Sequence, residues 1–248
     1  SRSGGHPSCS TGHRKETPHR GLTQGERSPR RPRRALRAAA RRGASRHAEK
    51  NKKPEASRPA TPADLATLLR RVHALPTPSF ALPRRELLGG VERWLRLAGD
   101  AIDPADADFL RARRDGFAPA AAALTPHLTP GPVHGDALPR NVLAGPDGPV
   151  LSDLETFSFD LREHDLVVMD LSRDRYGLPT EAYEDFVRAY GWDVREWEGR
   201  LTLRGARETA SCAWVAQHAP SNPAALTEFR RRVDSLRDGD TTVRWYPF

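Results

Sequence analysis

Cysteine is scarce in this sequence of 248 residues, which contains Cys9 and Cys212 and no others. Two cysteines so far apart exclude a disulfide framework and a cysteine-rich metal cluster, and they fit a reducing cytoplasm. Long apolar runs are also missing. None approaches the roughly 18 residues of a membrane span, and the Arg-rich start lacks the apolar segment of a secretory signal. We therefore expect a cytoplasmic protein that does not enter a membrane.

The first 54 residues lack the side chains that build a core. They contain no aromatic residue and no Val, Ile or Met, and their only large aliphatic side chains are Leu22 and Leu36. They hold 16 Lys and Arg against three Asp and Glu, whereas the rest of the chain holds 24 basic and 29 acidic residues. Such a segment buries too little apolar surface to offset its chain entropy, so we predict that residues 1–55 are disordered. A solvated basic tail is a simpler interpretation of this composition than nucleic-acid binding.

Helical patterns dominate from residue 56 to residue 128. Thr61 is placed to cap a helix that begins at Pro62, with Asp64 in its first turn. The stretch "RRELLGGVERWLRLAG" predicts a second helix, and "DPADADFLRARRDGF" predicts the start of a third. The predicted apolar face of the first helix consists of Leu65, Leu68, Leu69, Val72 and Leu75. That of the second helix consists of Leu87, Leu88, Val91, Trp94 and Leu95.

The pattern changes at Pro130, where short apolar runs replace the helical periodicity. The stretches "NVLAG" and "PVLSDL" flank "PDG", which predicts a hairpin with Asp147 and Gly148 as turn residues. Helices resume in "PTEAYEDFVRAYG", which stops at Gly191, and then in "RLTLRGARETASCAWVAQHA" and "NPAALTEFRRRVDSLR". We predict one mostly helical α+β domain over residues 56–248, with a small β insertion that carries the polar residues.

This β insertion carries Asp136, Asn141 five residues later, and Asp153 after the hairpin. Such oxygen ligands suit Mg²⁺, which usually takes one or two carboxylates and completes its shell with substrate phosphates. Asn141 and Asp153 supply these oxygens, and Asp136 can accept the proton of a substrate hydroxyl in phosphoryl transfer. An isolated Asp and Asn are also common in turns, so the interpretation depends on the hairpin, the preceding His134 and the downstream "EHDL".

The whole motif resembles the aminoglycoside phosphotransferase family, whose relatives include choline and homoserine kinases. The sequence has "HGD", four residues, Asn141 and then "DLE", where protein kinases have "HRD" and "DFG". The stretch "LREHDLVVM" looks like the family's segment after the metal-binding aspartate. "LLRRVHALP" is similar to the helix that opens the family's C-terminal lobe, and "RVDSLRDGDTTVRWYPF" looks like a family C-terminus. The resemblance covers about residues 56–248 and implies a protein kinase-like C-terminal lobe.

The resemblance implies a role for each motif residue. Asp136 would be the catalytic base, and Asn141 and Asp153 would bind the Mg²⁺ ions that bridge the phosphates of ATP. His134 would fix the catalytic loop, and Asp165 matches an aspartate that braces this loop. The implied reaction is ATP-dependent phosphorylation of a small molecule at a hydroxyl or amine. The net negative charge of the helical part is compatible with a cationic acceptor.

Two further side chains of the motif have open roles. Glu155 matches the last letter of the family's D-x-E variant, but the resemblance implies no defined function for it. Arg140 is either a phosphate contact or an exposed, solvated side chain.

A kinase of this kind also needs an N-terminal β lobe with a glycine-rich turn and a strand Lys. Lys50, Lys52 and Lys53 lie in the polar stretch "AEKNKKPEAS", so nothing before residue 61 has the pattern of such a lobe. The sequence begins at Ser1 and its one methionine is Met169, so we expect a partial or altered front end and weak or no turnover. The alternative hypothesis is a non-catalytic kinase-homology protein whose basic arm contacts nucleic acid or a partner.

Overall fold

The computed structural model describes residues 58–248. The predictions of a disordered segment over residues 1–55 and of a missing N-terminal β lobe fall outside these residues. Within the described part of the chain, no helix is both long enough and apolar enough to cross a membrane.

The first helix, α1, spans Pro62–His73 and begins as the sequence predicts. The hydroxyl of Thr61 accepts a hydrogen bond from the backbone N–H of Asp64, and the Asp64 carboxylate accepts one from the N–H of Thr61 at 2.9 Å. This capping box satisfies two backbone donors near the start of the helix. Leu69 is fully buried on the predicted apolar face, whereas Leu75 lies beyond the helix end and is 48% exposed.

The second helix is shorter than the sequence pattern predicts. Helix α2 spans Val91–Ala98, and Leu87 and Leu88, which were expected on its apolar face, precede it in a turn. This turn is closed by the N–H of Val91, which donates to the carbonyl of Leu88 at 3.1 Å. Gly89 and Gly90 explain the difference, because glycine loses more conformational freedom in a helix than any other residue.

The third helix, α3, spans Pro104–Ala122 and confirms the predicted start. Its N-cap is Asp103, whose carboxylate accepts a hydrogen bond from the N–H of Ala105 at 2.8 Å. Pro104 occupies the first helical turn, where its missing N–H has no intrahelical partner to lose.

The β insertion consists of four short strands. They are β1 (Gly131–Val133), β2 (Val142–Gly145), β3 (Gly148–Leu151) and β4 (Ser158–Asp160). Strands β2 and β3 form the predicted hairpin, and β1 pairs antiparallel with β4, a strand that the sequence analysis did not identify. Gly145 pairs with Gly148, so the two turn residues are Pro146 and Asp147. The prediction that Gly148 is a turn residue is therefore wrong by one position. Gly148 is the first residue of β3, with a φ of +104° that favours glycine.

The four helices that follow are α4 (Glu163–Arg175), α5 (Thr180–Tyr190), α6 (Arg200–Ala216) and α7 (Pro223–Arg237). Helix α5 ends at Gly191, whose φ of +98° makes it the predicted left-handed cap. Helix α4 is the central one, because every residue from Glu163 to Ser172 is buried. The predicted mostly helical fold with a small β insertion is confirmed.

Two hydrophobic clusters fill the described part of the chain. One is built from α1, α4 and α5 together with Val142 of β2. The other is built from α2, α3, α6 and α7 together with Trp245 near the C-terminus. Helix α6 packs against α4. This packing brings side chains of α6 to the loop that follows β1, where the polar motif begins.

Candidate active site

The β2–β3 hairpin brings two distant motif residues to the same end of one ladder. Val142 pairs with Leu151, and the N–H of Ser152 donates to the carbonyl of Asn141 at 2.8 Å. Asp153 follows immediately, so Asn141 and Asp153 lie at neighbouring ends of the two strands. Asp153 has a left-handed backbone with φ +56°, which Asp adopts more readily than most residues.

Asp136 is held by three side-chain donors. Its Oδ1 accepts from Nη2 of Arg207 at 2.5 Å. Its Oδ2 accepts from Nδ2 of Asn141 at 3.1 Å and from Nη2 of Arg140 at 3.2 Å. The Asn141 amide also donates to the backbone carbonyl of Asp136 at 2.8 Å. The carboxylate is thereby fixed in orientation, with its shortest contact on Oδ1.

The charge state of Asp136 follows from these neighbours. Burial raises the pKa of a carboxyl group, but the nearby guanidinium groups of Arg207 and Arg140 and the hydrogen bonds from Arg207 and Asn141 outweigh it. The pKa of Asp136 is therefore held below its ordinary value. The side chain is an ionised proton acceptor at neutral pH.

His134 is fully buried, and both of its ring nitrogens are used. Nε2 lies 2.9 Å from the carbonyl oxygen of Ser152, which can only accept, so Nε2 carries the proton. Nδ1 accepts from the backbone N–H of Asp136 at 3.2 Å. These contacts define a neutral ring that ties the loop to the hairpin and has no free nitrogen for proton transfer.

Asp165, near the start of α4, is fully buried beneath the same loop. Its carboxylate accepts from the backbone N–H groups of His134 and Gly135, both at 2.8 Å. It also contacts Nε2 of His73 at 3.1 Å, and Nδ1 of His73 lies 2.8 Å from the Tyr190 hydroxyl. Burial raises the pKa of Asp165, but His73 and the two backbone donors outweigh it, so the pKa lies below its ordinary value.

The chemistry of Asn141 and Asp153 fits a magnesium ion. Asn141 uses its amide nitrogen for Asp136, which leaves its side-chain oxygen as a ligand. Asp153 is exposed, and within residues 58–248 its carboxylate has no hydrogen-bond partner or ion pair. No group of three or more His, Cys, Asp or Glu in this part of the chain is arranged to hold a metal. The shell of an ion here would therefore depend on Asn141, Asp153 and substrate phosphates.

A cleft of about 1020 Å³ opens beside Asp136. Asp136 is part of the lining of this cleft, whereas Asn141 and Asp153 are not. Its charged side chains are Arg84, Arg85, Glu86, Asp136, Arg140, Glu155, Arg207 and Arg232. Its aromatic side chains are Trp94, Phe157, Tyr176, Trp214, Phe248 and the neighbouring His218.

The two motif residues with open roles both line this cleft. Glu155 is exposed within the single turn of 3₁₀ helix at Leu154–Thr156. Arg140 is 69% exposed and contacts Asp136 from the solvent side. An ion pair so exposed contributes little to stability.

The sequence analysis missed three residues at the site, which are His73, Arg85 and Arg207. His73 lies within the quoted "LLRRVHALP", but no short-range pattern distinguishes it from a surface histidine. Arg207 lies 71 residues beyond Asp136 in the sequence. Their positions become visible only when α1 and α6 are packed around the loop.

The fold defined by these elements is kinase-like, as three solved structures show. A choline/ethanolamine kinase family protein from Mesorhizobium loti has a TM-score of 0.55 at 17% identity, over 75% of this chain and 67% of that one. The choline kinase LicA from Streptococcus pneumoniae has a TM-score of 0.53 at 16% identity, over 72% and 63%. Amicoumacin kinase hAmiN, in complex with AMP-PNP and Ca²⁺, has a TM-score of 0.54 at 10% identity, over 78% and 64%. The aligned part thus spans about two thirds of each of these proteins, and at these identities the likeness shows the fold alone.

The sequence model of the phosphotransferase enzyme family matches residues 18–203. The chain belongs to this family, which confirms the resemblance seen in the motif. The family match begins at residue 18. The resemblance in the sequence motifs begins later, at about residue 56. A search of curated proteins finds no match to this chain.

Proposed function

We propose that this protein is an ATP-dependent kinase that transfers the γ-phosphoryl group to a hydroxyl or amine of a small molecule. The observation that carries the proposal is the position of Asp136. Asp136 lines a cleft of about 1020 Å³ and also accepts a hydrogen bond from Asn141, which lies beside Asp153 at the end of the hairpin. A base that faces an acceptor cleft and contacts a residue suited to bind the metal of the nucleotide fits the requirements of phosphoryl transfer.

Asp136 is the catalytic base in this proposal. Its lowered pKa keeps it ionised at neutral pH. Oδ1 is committed to Arg207, whereas Oδ2 has the longer contacts of 3.1 and 3.2 Å. Oδ2 is therefore the oxygen that exchanges a donor for the acceptor hydroxyl and takes its proton.

Asn141 and Asp153 bind Mg²⁺ in this proposal, through the amide oxygen of one and the carboxylate of the other. When bound, the ion would neutralise negative charge on the phosphates of ATP. Among the similar folds, LicA was solved in complex with AMP and hAmiN with AMP-PNP and Ca²⁺, which supports a nucleotide as the phosphoryl donor.

His134 and Asp165 are positioning residues in this proposal. His134 joins the N–H of Asp136 to the carbonyl of Ser152, and Asp165 binds the two preceding N–H groups. Together they fix the backbone immediately before the base. Such control matters because small displacements of a catalytic group cost large factors in rate.

The test compares Asp136→Asn with Asp147→Asn, which removes the same charge from the exposed hairpin turn. ATP consumption is measured with a panel of aminoglycosides, choline, homoserine and small phosphate esters. It is measured on the full chain and on a chimera that carries a family N-terminal lobe in place of residues 1–55. We expect Asp136→Asn to lower turnover by roughly 10²–10⁴-fold and to leave Mg²⁺-nucleotide binding intact. Turnover that survives in Asp136→Asn would refute the role of Asp136 as the catalytic base. A chimera that binds no nucleotide would favour the non-catalytic alternative.

A further inference from the structure

Arg85 is a charged side chain in the cleft without a counterion of its own. Its Nε is buried and makes no hydrogen bond, and no ion pair within residues 58–248 includes its guanidinium group. Burying a guanidinium without a partner is costly, so proteins normally pair it. The side chain therefore has donors available for a ligand.

The carboxylates around Arg85 are engaged by other groups. Asp165 accepts from two backbone N–H groups and contacts His73. Asp136 is held by Arg207, Arg140 and Asn141. The remaining neighbour, Asp160, pairs with Nε2 of His164 at 3.0 Å and accepts from the N–H of Leu161 at 2.7 Å. These three carboxylates act on Arg85 at a distance but do not neutralise it by contact.

The guanidinium of Arg85 lies against the catalytic loop. A Cβ placed on Gly135 would come within 2.3 Å of its Nη1, so the residue before Asp136 must be glycine for Arg85 to approach this closely. Burial, followed by the nearby positive charge of Arg207, lowers the pKa of Arg85 to about 10. The group stays charged at neutral pH, and two cations stand together beside the base.

Resting on the kinase function proposed above, we propose that Arg85, with Arg207 beside it, binds an anionic group on the acceptor substrate. The acceptor would be a small molecule with a carboxylate or a phosphate ester in addition to its reactive hydroxyl or amine. A guanidinium matches either group with two parallel hydrogen bonds. The aromatic side chains Trp94 and Trp214 line the same cleft and provide contact area for an apolar part of the molecule.

The position of Arg85 assigns it to the acceptor rather than to the nucleotide. It lines the cleft with Asp136, whereas Asn141 and Asp153 do not line that cleft. The charges in the cleft also disfavour a cationic acceptor, although the net negative charge of the helical part is compatible with one. Five arginines face three acidic side chains in the cleft, and one of those acids, Asp136, is already held by two of the arginines.

The test uses inorganic phosphate as the probe and the full chain as the protein. Phosphate binding is measured by calorimetry for the wild type, Arg85→Gln, Arg85→Lys and Arg84→Gln. The last variant is the matched control, because Arg84 lines the same cleft and its removal lowers the charge equally. We expect Arg85→Gln to weaken phosphate binding by at least about tenfold, Arg85→Lys to weaken it less, and Arg84→Gln to change it little. Thermal unfolding of each variant establishes that it is folded.

A second measurement distinguishes a site for an anionic group of the acceptor from a site for the phosphates of the nucleotide. The affinity for Mg²⁺-AMP-PNP should be the same in the wild type and in Arg85→Gln, and phosphate should bind in the presence of that nucleotide. A loss of nucleotide affinity in Arg85→Gln would assign Arg85 to the nucleotide phosphates and overturn the proposal. Equal phosphate binding by wild type and Arg85→Gln, or no saturable binding by the wild type, would overturn it as well. Failure of the kinase function would appear separately, as turnover that does not depend on Asp136.

Discussion

Nη2 of Arg207 lies 2.5 Å from Oδ1 of Asp136, and Nη1 of the same side chain lies 3.2 Å from the carbonyl oxygen of Gly135. One guanidinium of α6 therefore holds both the Asp136 carboxylate, the proposed base, and the backbone just before it. Replacing Arg207 by Gln removes the shortest of the three side-chain contacts to Asp136 and should lower kcat about tenfold or more, with a smaller effect on the KM for ATP.

Arg207→Lys is the matched variant for this prediction. It keeps the charge but loses the planar fork, so its kcat should fall between those of the wild type and Arg207→Gln. Steady-state kinetics, on the chain or on the chimera with a restored lobe, measures all three. An unchanged kcat in Arg207→Gln would show that the contact does not position the base.

Asp153→Asn should weaken Mg²⁺-nucleotide binding by about tenfold or more and should leave the melting temperature unchanged. Asp153 is exposed and has no partner within residues 58–248, so the fold does not depend on its charge. Asn tolerates the left-handed backbone at this position as Asp does. Titration with AMP-PNP, with and without Mg²⁺, measures the difference. Equal weakening without the metal would contradict the role as a metal ligand.

Asp165→Asn should destabilise the fold at neutral pH by about 2–4 kcal/mol, because one amide cannot replace a carboxylate that accepts from two backbone donors and His73. The folded pKa of Asp165 lies below its ordinary value. Its contribution is therefore present above the unfolded pKa of about 4 and is lost as the pH falls through the folded pKa. The difference between the variant and the wild type should shrink in that acid range.

Urea unfolding at neutral pH and at acid pH checks the effect of Asp165. Asp185→Asn serves as the control, since the Asp185 side chain is 57% exposed in a surface pair with Arg188. That variant should stay within about 0.5 kcal/mol of the wild type at both pH values. A constant loss in Asp165→Asn across the whole pH range would argue against an ionised Asp165.

Trp245→Ala should lower the free energy of unfolding by about 3–5 kcal/mol. The Trp245 side chain is 1% exposed, and the guanidinium groups of Arg175 and Arg232 lie 4.6 and 4.9 Å from its ring centroid. Its Nε1 donates to the Ser235 hydroxyl at 3.1 Å. Trp214→Ala is the comparison, because Trp214 is 44% exposed and should cost much less. Chemical denaturation of both variants measures the difference, and equal losses would contradict the prediction that burial of Trp245 stabilises the fold.

The sequence alone determines the features that depend on neighbouring residues. The cap at Thr61, the left-handed stop at Gly191 and the β2–β3 hairpin follow from backbone chemistry over a few positions. The motif of Asp136, Asn141 and Asp153 was readable for the same reason, since a loop and a hairpin fix its spacing. The family match confirms the family resemblance that this motif carries.

The sequence pattern gave a wrong helix start and missed one strand, because backbone entropy and strand pairing decided the structure at these two places. The apolar periodicity extended the second helix back to Leu87, but the Gly-Gly pair delays its start until Val91. Strand β4 was missed because Ser158–Asp160 is too short to show an alternating pattern, and it forms by pairing with β1. A three-residue strand is defined by its partner.

The tertiary structure alone decided which distant charges meet. Arg207 reaches Asp136 from 71 residues away and His73 reaches Asp165 from 92 residues away, because the packing of α1, α4 and α6 closes these distances. The same packing buries the Nε of Arg85 beside Gly135 without giving it a counterion. Composition assigns the helical part a net negative charge, yet the cleft that it forms is rich in arginine. Net charge is a sum over the chain, whereas a binding site is set by the few charges that folding brings within hydrogen-bonding distance of one another.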